Sequence, residues 1–381
     1  MKTVIVVESP AKARKIKTFF KDETIVTSSF GHIIDLPKEQ ISIDIQNNFK
    51  PNYQPITEKK KIIKELRTYS KNCNILLAAD DDREGDAIAW HCGKIMNINF
   101  NEKNRIIFHE ITKKAIMKSI DNVHHLNMNS VNAQQGRRII DRLVGYSLSP
   151  LLWKHIDTNQ SGLSAGRVQS TLLLILQGNE NLIQNHQSKY SYKYIGNFKN
   201  KPSCELITKN KDSEKIINSL KLNRKYKIKK QYHKKEEKYS ANPFITSSLQ
   251  RSAQKELGYS VKNTMNIAQK LYENGKITYM RTDSTFISNG FKKSLKQNID
   301  SNYCENYYLN RVTKKVKGAQ EAHECIRITK LNESLNNKYT DYDKKLYELI
   351  KKRTICSHMK PAIYDNLIYE LSNKELNNDY F

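Results

Sequence analysis

Two apolar runs that each lead through carboxylates into a helix constrain this chain more than any other feature. Residues 3–8, TVIVVE, form a continuous β-branched stretch ending on Glu8, and Ser9-Pro10 then supply an N-cap and a first-turn proline for a helix to about Phe20. The grammar repeats at residues 74–79, NILLAA, which pass through DDDREG into the periodic segment DAIAWHCGKIM carrying Ile88, Ala89, Trp90 and Ile95. A third strand-like stretch, residues 105–108, precedes a helix expected to begin near Thr112. Alternating strand and helix predict a parallel, Rossmann-like α/β sheet over residues 1–125, with an inserted loop at about 31–60.

Ligand sites in open α/β sheets form beyond the C-terminal strand ends. If the two strands are neighbours, Glu8 therefore meets the acidic run DDDREGD of residues 80–86. Side chains alternate along a strand, which would put Asp80 and Asp82 on one face, with Glu84 a further candidate. Crowded carboxylates repel one another unless a hard cation is present, and an all-oxygen set suits Mg²⁺. A solvated acidic turn paired with Arg83 fits the local spacing equally well.

Residues 131–153, VNAQQGRRIIDRLVGYSLSPLLW, read as a helix with Ile139, Ile140, Leu143 and Val144 inward and Arg137, Arg138 and Arg142 outward. A second helix is expected after SGLSAGRVQS. Residues 188–239 change to alternating Tyr/Ile/Lys patterns that suggest an extended antiparallel arm. Helical periodicity returns at 243–290 and 338–360, and AIYDNLIYEL resumes strand grammar. In KITYMRTDS, strand alternation would place Ile277, Tyr279 and Arg281 on one face. A phenol, with a pKa of about 10, is a poor nucleophile until its oxyanion is stabilised, which a neighbouring guanidinium achieves. Among 21 tyrosines, packing is the ordinary role. Lys12 lies where a cation and a helix N-terminus both face an anion, although a solvated helix lysine is the common case.

At 381 residues the chain exceeds what a single core usually supports. Lys and Arg number 65 against 39 Asp and Glu, a net charge of +26, which implies a polyanionic partner. An AT-rich genome would also enrich Lys, Asn and Ile, so charge alone does not settle the partner. No run of about 18 apolar residues occurs, and the N-terminal stretch is too short for a signal peptide, so a cytoplasmic protein without a membrane partner is expected. Six cysteines without a C-x-x-C pair suggest reduced, mostly buried thiols rather than a zinc or redox motif. No G-x-x-x-x-G-K-[ST] phosphate loop is present, and no nucleotide cofactor is expected.

A Glu on the first strand followed by Asp-x-Asp resembles the Toprim domain of topoisomerases, primases and some nucleases. VVESPAKARKI, SSFGHIIDLP, AADDDREGDAIAW, FHEITKKAI, VNAQQGRRIIDRLVGYSLSPLLW, SGLSAGRVQS, NPFITSSLQRSA, ITYMRTDST and AQEAHECIR resemble type IA DNA topoisomerase motifs in that family's order, closest to the bacterial topoisomerase I branch. The resemblance implies a toroidal multidomain architecture, incomplete here: a Toprim domain (1–125), a helical strand-binding domain (126–180), part of a β-rich arch (181–239 and 364–381) and a helical domain bearing the nucleophile (240–363).

It further implies that Tyr279 attacks a DNA phosphodiester to give a 5′-phosphotyrosyl intermediate, with Arg281, Glu8 and Lys12 assisting and Mg²⁺ on Glu8, Asp80, Asp82 and Glu84. Glu8 is also a candidate general acid for the leaving 3′ oxygen. Single-stranded DNA would lie against His32, Arg137, Arg138, Asp141, Tyr146, Trp153, Ser164, Ala165, Gly166, Arg167, Val168, Gln169, Arg281 and His323. The expected enzyme is a monomer that relaxes negatively supercoiled DNA without ATP. Cys325 and Ile328 replace the usual Ala and Pro of bacterial relatives, and the chain ends at Phe381 within what resembles the return of the arch. The alternative is therefore a truncated product that binds single-stranded DNA, with or without cleaving it, and does not perform strand passage.

Overall fold

The computed structural model describes residues 2–20, 24–70, 73–156, 162–188, 192–197, 203–208, 217–218, 221, 225–303, 305–311 and 323–372. The chain divides into two compact units, residues 1–170 with 240–359, and residues 171–239 with 360–381.

The first unit opens with β1 (Lys2–Val7), α1 (Pro10–Lys17) and β2 (Thr24–Ser28), followed by α2 (Lys60–Tyr69), β3 (Cys73–Leu77) and α3 (Arg83–Ile95). The strands form a three-stranded parallel sheet in the order β2-β1-β3, with Val4 opposite both Ile25 and Ile75. Alternation across the pleat divides the apolar runs between two cores. Ile5, Val7, Leu76 and Ala78 point into one, whereas Val4, Val6, Ile75 and Leu77 point into the other. A sheet covered on both faces needs unbroken apolar strands, and TVIVV and NILL are of that kind. Residues 105–108 do not form the expected strand: Arg105 makes only isolated bridges to Leu77 and His124. Its side chain instead turns inward and binds backbone carbonyls, as described below. Between β2 and α2 the inserted loop contains two short antiparallel pairings, 34–35 with 54–55 and 43–44 with 50–51.

The helices of this unit are α4 (Lys113–Asp121), the 28-residue α5 (Met128–His155), the first turn of α6 (Arg167–Gln184), α7 (Thr246–Leu257), α8 (Val261–Glu273), α9 (Asn289–Asn302) and α10 (Asp341–Cys356). Leu249 and Ala253 of α7, Ile267 and Leu271 of α8, and Leu346 and Ile350 of α10 share one apolar core with Ile5 and Leu76 of the sheet. Each of these leucine and isoleucine side chains contributes about 1.5–3 kcal/mol when fully buried, so this core ties the N-terminal sheet to the segment carrying Tyr279.

In the second unit β6 (Lys227–Lys238) pairs antiparallel with β7 (Ala362–Ser372), with an irregularity between Ile228 and Lys230, and β4 (Tyr192–Gly196) pairs with β5 (Cys204–Thr208). The alternating patterns at both ends of this arm therefore do form antiparallel strands. Among the described residues no helix is long and apolar enough to cross a membrane. Of the five described cysteines only Cys92 and Cys325 are buried, so the expectation of mostly buried thiols fails for Cys73, Cys204 and Cys356; Cys304 lies outside the described residues.

Candidate active site

β1 delivers Glu8 to the end of the sheet, and the Ser9 hydroxyl then accepts from the Lys12 amide to cap α1, with Pro10 in its first turn. This winding turns Lys12 back over the strand end, where it is fully buried. Its ammonium donates to Glu8 Oε1 and to Asp80 Oδ1, each at 2.5 Å. The Tyr272 hydroxyl from α8 donates to the same Asp80 oxygen at 2.9 Å, and the Lys12 ammonium lies 5.0 Å from the centre of that tyrosine ring. One buried cation thus bridges two carboxylates, as the removal of charge from water requires.

Burial disfavours ionisation of both acids, but they respond oppositely. The Lys12 charge and the hydrogen bonds from Asp80 and Lys12 outweigh burial at Glu8 and hold its pKa below the usual carboxylate value. At Asp80 burial prevails over Lys12 and is reinforced by Glu8, pushing the pKa up to about 7. The two acids titrate as a pair, and near neutrality that pair can retain a proton. Burial opposes the charge on Lys12 too, but both carboxylates overcome it and raise the pKa.

Asp82 reaches the site by a different route from the one strand alternation suggested. β3 has ended at Leu77, and Asp82 is the N-cap of α3, its Oδ1 accepting from the Gly85 amide at 2.7 Å. The cap geometry leaves Oδ2 free to accept from the Tyr279 hydroxyl at 2.5 Å. Tyr279 is only 4% exposed. Burial, the Asp80 and Asp82 charges and this hydrogen bond push its pKa well above the ordinary phenol value, against a smaller opposing pull from Arg281. The phenol is therefore held protonated and aimed at a carboxylate.

No strand carries Tyr279. Its neighbour Ile277 makes one isolated bridge to Ile328, and the Tyr279 amide donates to the His109 carbonyl at 2.9 Å, so loop-to-loop pairing orients the ring. Arg281 is exposed and lines the same cleft as Glu8, Asp80, Asp82, Glu84 and Tyr279. His323, 3% exposed, stacks on Tyr279 with ring centres 5.9 Å apart. Residues 319–322 of the AQEAHECIR segment lie outside the described residues.

An all-oxygen donor set facing one cleft fits the chemistry of a hard divalent cation. The contacts divide it unevenly: Lys12 occupies the space between Glu8 and Asp80, and Glu84 accepts from Gln134 at 3.0 Å and lies 3.4 Å from His32. Among the described residues the group whose ligand atoms all lie within 4.8 Å of one another is Asp81, His109 and His323. The expected set of Glu8, Asp80, Asp82 and Glu84 is not drawn together in that way.

A second cleft is lined by His32, Asp35, Tyr53, Glu84, His91, Arg137, Arg138 and Asp141, so four of the residues expected to hold a nucleic-acid strand converge. The expected facing of α5 is only partly met. Arg137 is exposed, but Arg142 is 5% exposed and donates to the carbonyls of Leu36, Pro37 and Gln40 and to the Tyr146 hydroxyl, whereas Ile140 is 52% exposed. A guanidinium with several carbonyl partners is satisfied inside, and here it ties α5 to the inserted loop. Asp141 makes its hydrogen bonds to neither Arg137 nor Arg138, although both charges help hold its pKa below the usual value after the Arg167 hydrogen bond. It takes a two-pronged hydrogen bond from Arg167, at 2.5 and 2.7 Å, while Arg138 pairs with Asp35.

Tyr146 also donates to the Lys38 carbonyl, and Trp153, 62% exposed, donates to the Leu163 carbonyl at 2.5 Å. In the segment from Ser164 to Gln169, the Ala165 amide donates to Ser149, the Gln169 amide group donates to the Ser164 hydroxyl, and Val168 is 71% exposed. A β-carbon at Gly166 would fall 2.6 Å from the Gln169 carboxamide oxygen.

Sequence reasoning did not single out Asp35, Arg105, Tyr272, His91 or His109. Arg105, 1% exposed, pairs with Asp86 and donates to the carbonyls of Ala79, Asp80 and Ile106, which fixes the turn presenting the acidic run. His91 packs edge-on to His32, and burial followed by the His32 charge lowers its pKa to about 3. His109 stood in plain view within FHEITKKAI. Tyr272 carried no signal, because an inward tyrosine on an amphipathic helix reads as core.

Residues 3–111 match the Toprim domain family and residues 125–380 match the DNA topoisomerase family. The fold is similar to full-length topoisomerase I from Thermotoga maritima, solved in a monoclinic crystal form, at 38% sequence identity and a TM-score of 0.84. The match covers 98% of this chain and 64% of the Thermotoga chain.

Proposed function

Since the chain belongs to the DNA topoisomerase family, in its bacterial-like type IA branch, we propose that it cuts and reseals one DNA strand through Tyr279. The observation that carries this reading is the 2.5 Å hydrogen bond from the Tyr279 hydroxyl to Asp82, beside the Glu8–Lys12–Asp80 cluster. A phenol held by a carboxylate has a proton acceptor in place as it attacks. Attack on a phosphodiester forms the tyrosine Oη–P bond and breaks the P–O3′ bond. The phenolic proton passes to Asp82, and the departing 3′ oxygen takes one from the Glu8–Asp80 pair, leaving a 5′-phosphotyrosyl enzyme and a 3′-hydroxyl. The reverse of these steps reseals the strand.

Lys12 keeps the acid pair in register and places positive charge where the phosphate approaches. Arg281, at the rim of the cleft, and His323, against the tyrosine ring, bind the phosphate as attack proceeds. Mg²⁺ held by Asp80, Asp82 and Glu84 would add positive charge that lets nucleic acid approach a carboxylate cluster. The cleft of His32, Arg137 and Arg138 would guide the single strand, with Tyr146, Trp153 and residues 164–169 extending that surface. The product is relaxation of negatively supercoiled DNA, dependent on Mg²⁺ and independent of ATP, by a monomer.

Incubation with a single-stranded oligonucleotide and Mg²⁺, followed by denaturing electrophoresis, tests the proposal. A protein–DNA adduct that disappears in Tyr279→Phe is expected; an adduct of undiminished yield in that variant sinks the reading. Relaxation of a negatively supercoiled plasmid tests strand passage separately.

A further inference from the structure

We propose that Asp81, His109 and His323 form a second metal site, distinct from the carboxylate cluster, for a borderline first-row divalent cation such as Zn²⁺. One donor atom from each lies within 4.8 Å of the others, and His109 Nδ1 is 3.8 Å from Asp81 Oδ2. The two imidazole rings meet edge-on with centres 5.4 Å apart. Both histidines have a fully buried Nδ1 without a hydrogen-bond partner, an arrangement costly for a polar atom unless something binds there. His323 itself is 3% exposed.

Zinc–ligand bonds of roughly 2.0–2.2 Å would require the three side chains to close by about an ångström or less, within reach of small χ rotations. Two imidazoles with one carboxylate favour zinc and its neighbours over Mg²⁺, which prefers oxygen ligands alone. Asp81 and His109 are only partly buried, leaving an entry path and room for a solvent or phosphate oxygen. The cation would sit beside Tyr279, since His323 stacks on that ring and the His109 carbonyl accepts from the Tyr279 amide. Asp82 approaches the same tyrosine through its hydroxyl. The two adjacent aspartates thus serve different sites: Asp82 holds the nucleophile, and Asp81 holds the ion beside it.

Titration of the whole chain with Zn²⁺, and with Co²⁺ as a spectroscopic probe, tests this without DNA and so independently of strand cleavage. One ion per chain is expected, persisting in excess Mg²⁺, with a visible Co²⁺ spectrum of nitrogen and oxygen ligation. Asp81→Asn and His109→Asn should each weaken binding at least ~10-fold, since even loss of a group that only supports a metal ligand costs about 10–100-fold, whereas Asp82→Asn should not. Should one variant fail to fold, the other and the wild-type Co²⁺ spectrum still decide. Absence of stoichiometric binding, retention in both ligand variants, loss confined to Asp82→Asn, or a thiolate charge-transfer band would each overturn the assignment.

Discussion

At the scale of single residues, Lys12 is the group on which most depends. A fully buried ammonium between Glu8 and Asp80 makes Lys12→Met a broken buried ion pair rather than a lost surface charge. The variant should be about 3–5 kcal/mol less stable at neutral pH in chemical denaturation. Asp80, with a folded pKa raised to about 7, contributes stability at low pH that is lost as the pH rises through that value. Removing Lys12 takes away the charge that holds the Glu8 pKa down and opposes the rise at Asp80, so both acids protonate more readily and the deficit should be smaller at pH 5 than at pH 8; a deficit independent of pH would contradict the pairing. His91 runs the other way. Its folded pKa of about 3 lies below the unfolded value, so its contribution is present above about 6.5 and lost as the pH falls toward 3. His91→Gln should flatten the acid side of the stability profile measured by urea unfolding.

Between residues and the whole molecule, the turn from β3 into α3 fixes the acidic run. A β-carbon at Gly85 would fall 2.1 Å from the Asp80 carbonyl oxygen, so Gly85→Ala must displace backbone rather than a flexible side chain. Adduct formation should fall at least ~10-fold in that variant with oligonucleotide binding largely retained, because a displacement near 1 Å at a reacting group costs about two orders of magnitude. Equal losses in both measurements would place the effect in global folding instead.

This turn also marks what was legible in the sequence. The strands, the Ser9-Pro10 helix start and the meeting of Glu8 with Asp80 followed from apolar runs and strand-end chemistry. Asp82's N-cap role did not, because the strand ends at Leu77 and its alternation says nothing about the turn beyond it. Arg142 and Ile140 lie on the faces opposite to those that helical periodicity predicts, because a helical arginine reads as exposed until its carbonyl partners, more than a hundred residues distant, are known. The pairing of Tyr272 with Asp80 is likewise a contact across 192 residues that no local pattern encodes.

For the molecule as a whole, a net charge of +26 makes attraction for a polyanion general, while Tyr279, Arg281 and the carboxylates Glu8, Asp80, Asp82 and Glu84 line one cleft. Binding of a single-stranded oligonucleotide should weaken steeply with salt, and Arg137→Ala should lower the slope of log K against log salt by about 0.7, the value for one phosphate contact. An unchanged slope would remove Arg137 from the binding surface. The core shared by the sheet and the α7, α8 and α10 helices keeps the tyrosine against the carboxylates, with its phenol 2.5 Å from Asp82. The proposed cleavage requires DNA to enter between them. The most direct measurement is to trap the adduct formed with an oligonucleotide labelled at one end, digest it, and identify the modified peptide by mass spectrometry. The account predicts phosphotyrosine at residue 279 carrying the 5′ end of the downstream fragment, with a free 3′-hydroxyl on the other; a linkage to any other residue, or to a 3′ phosphate, would contradict it.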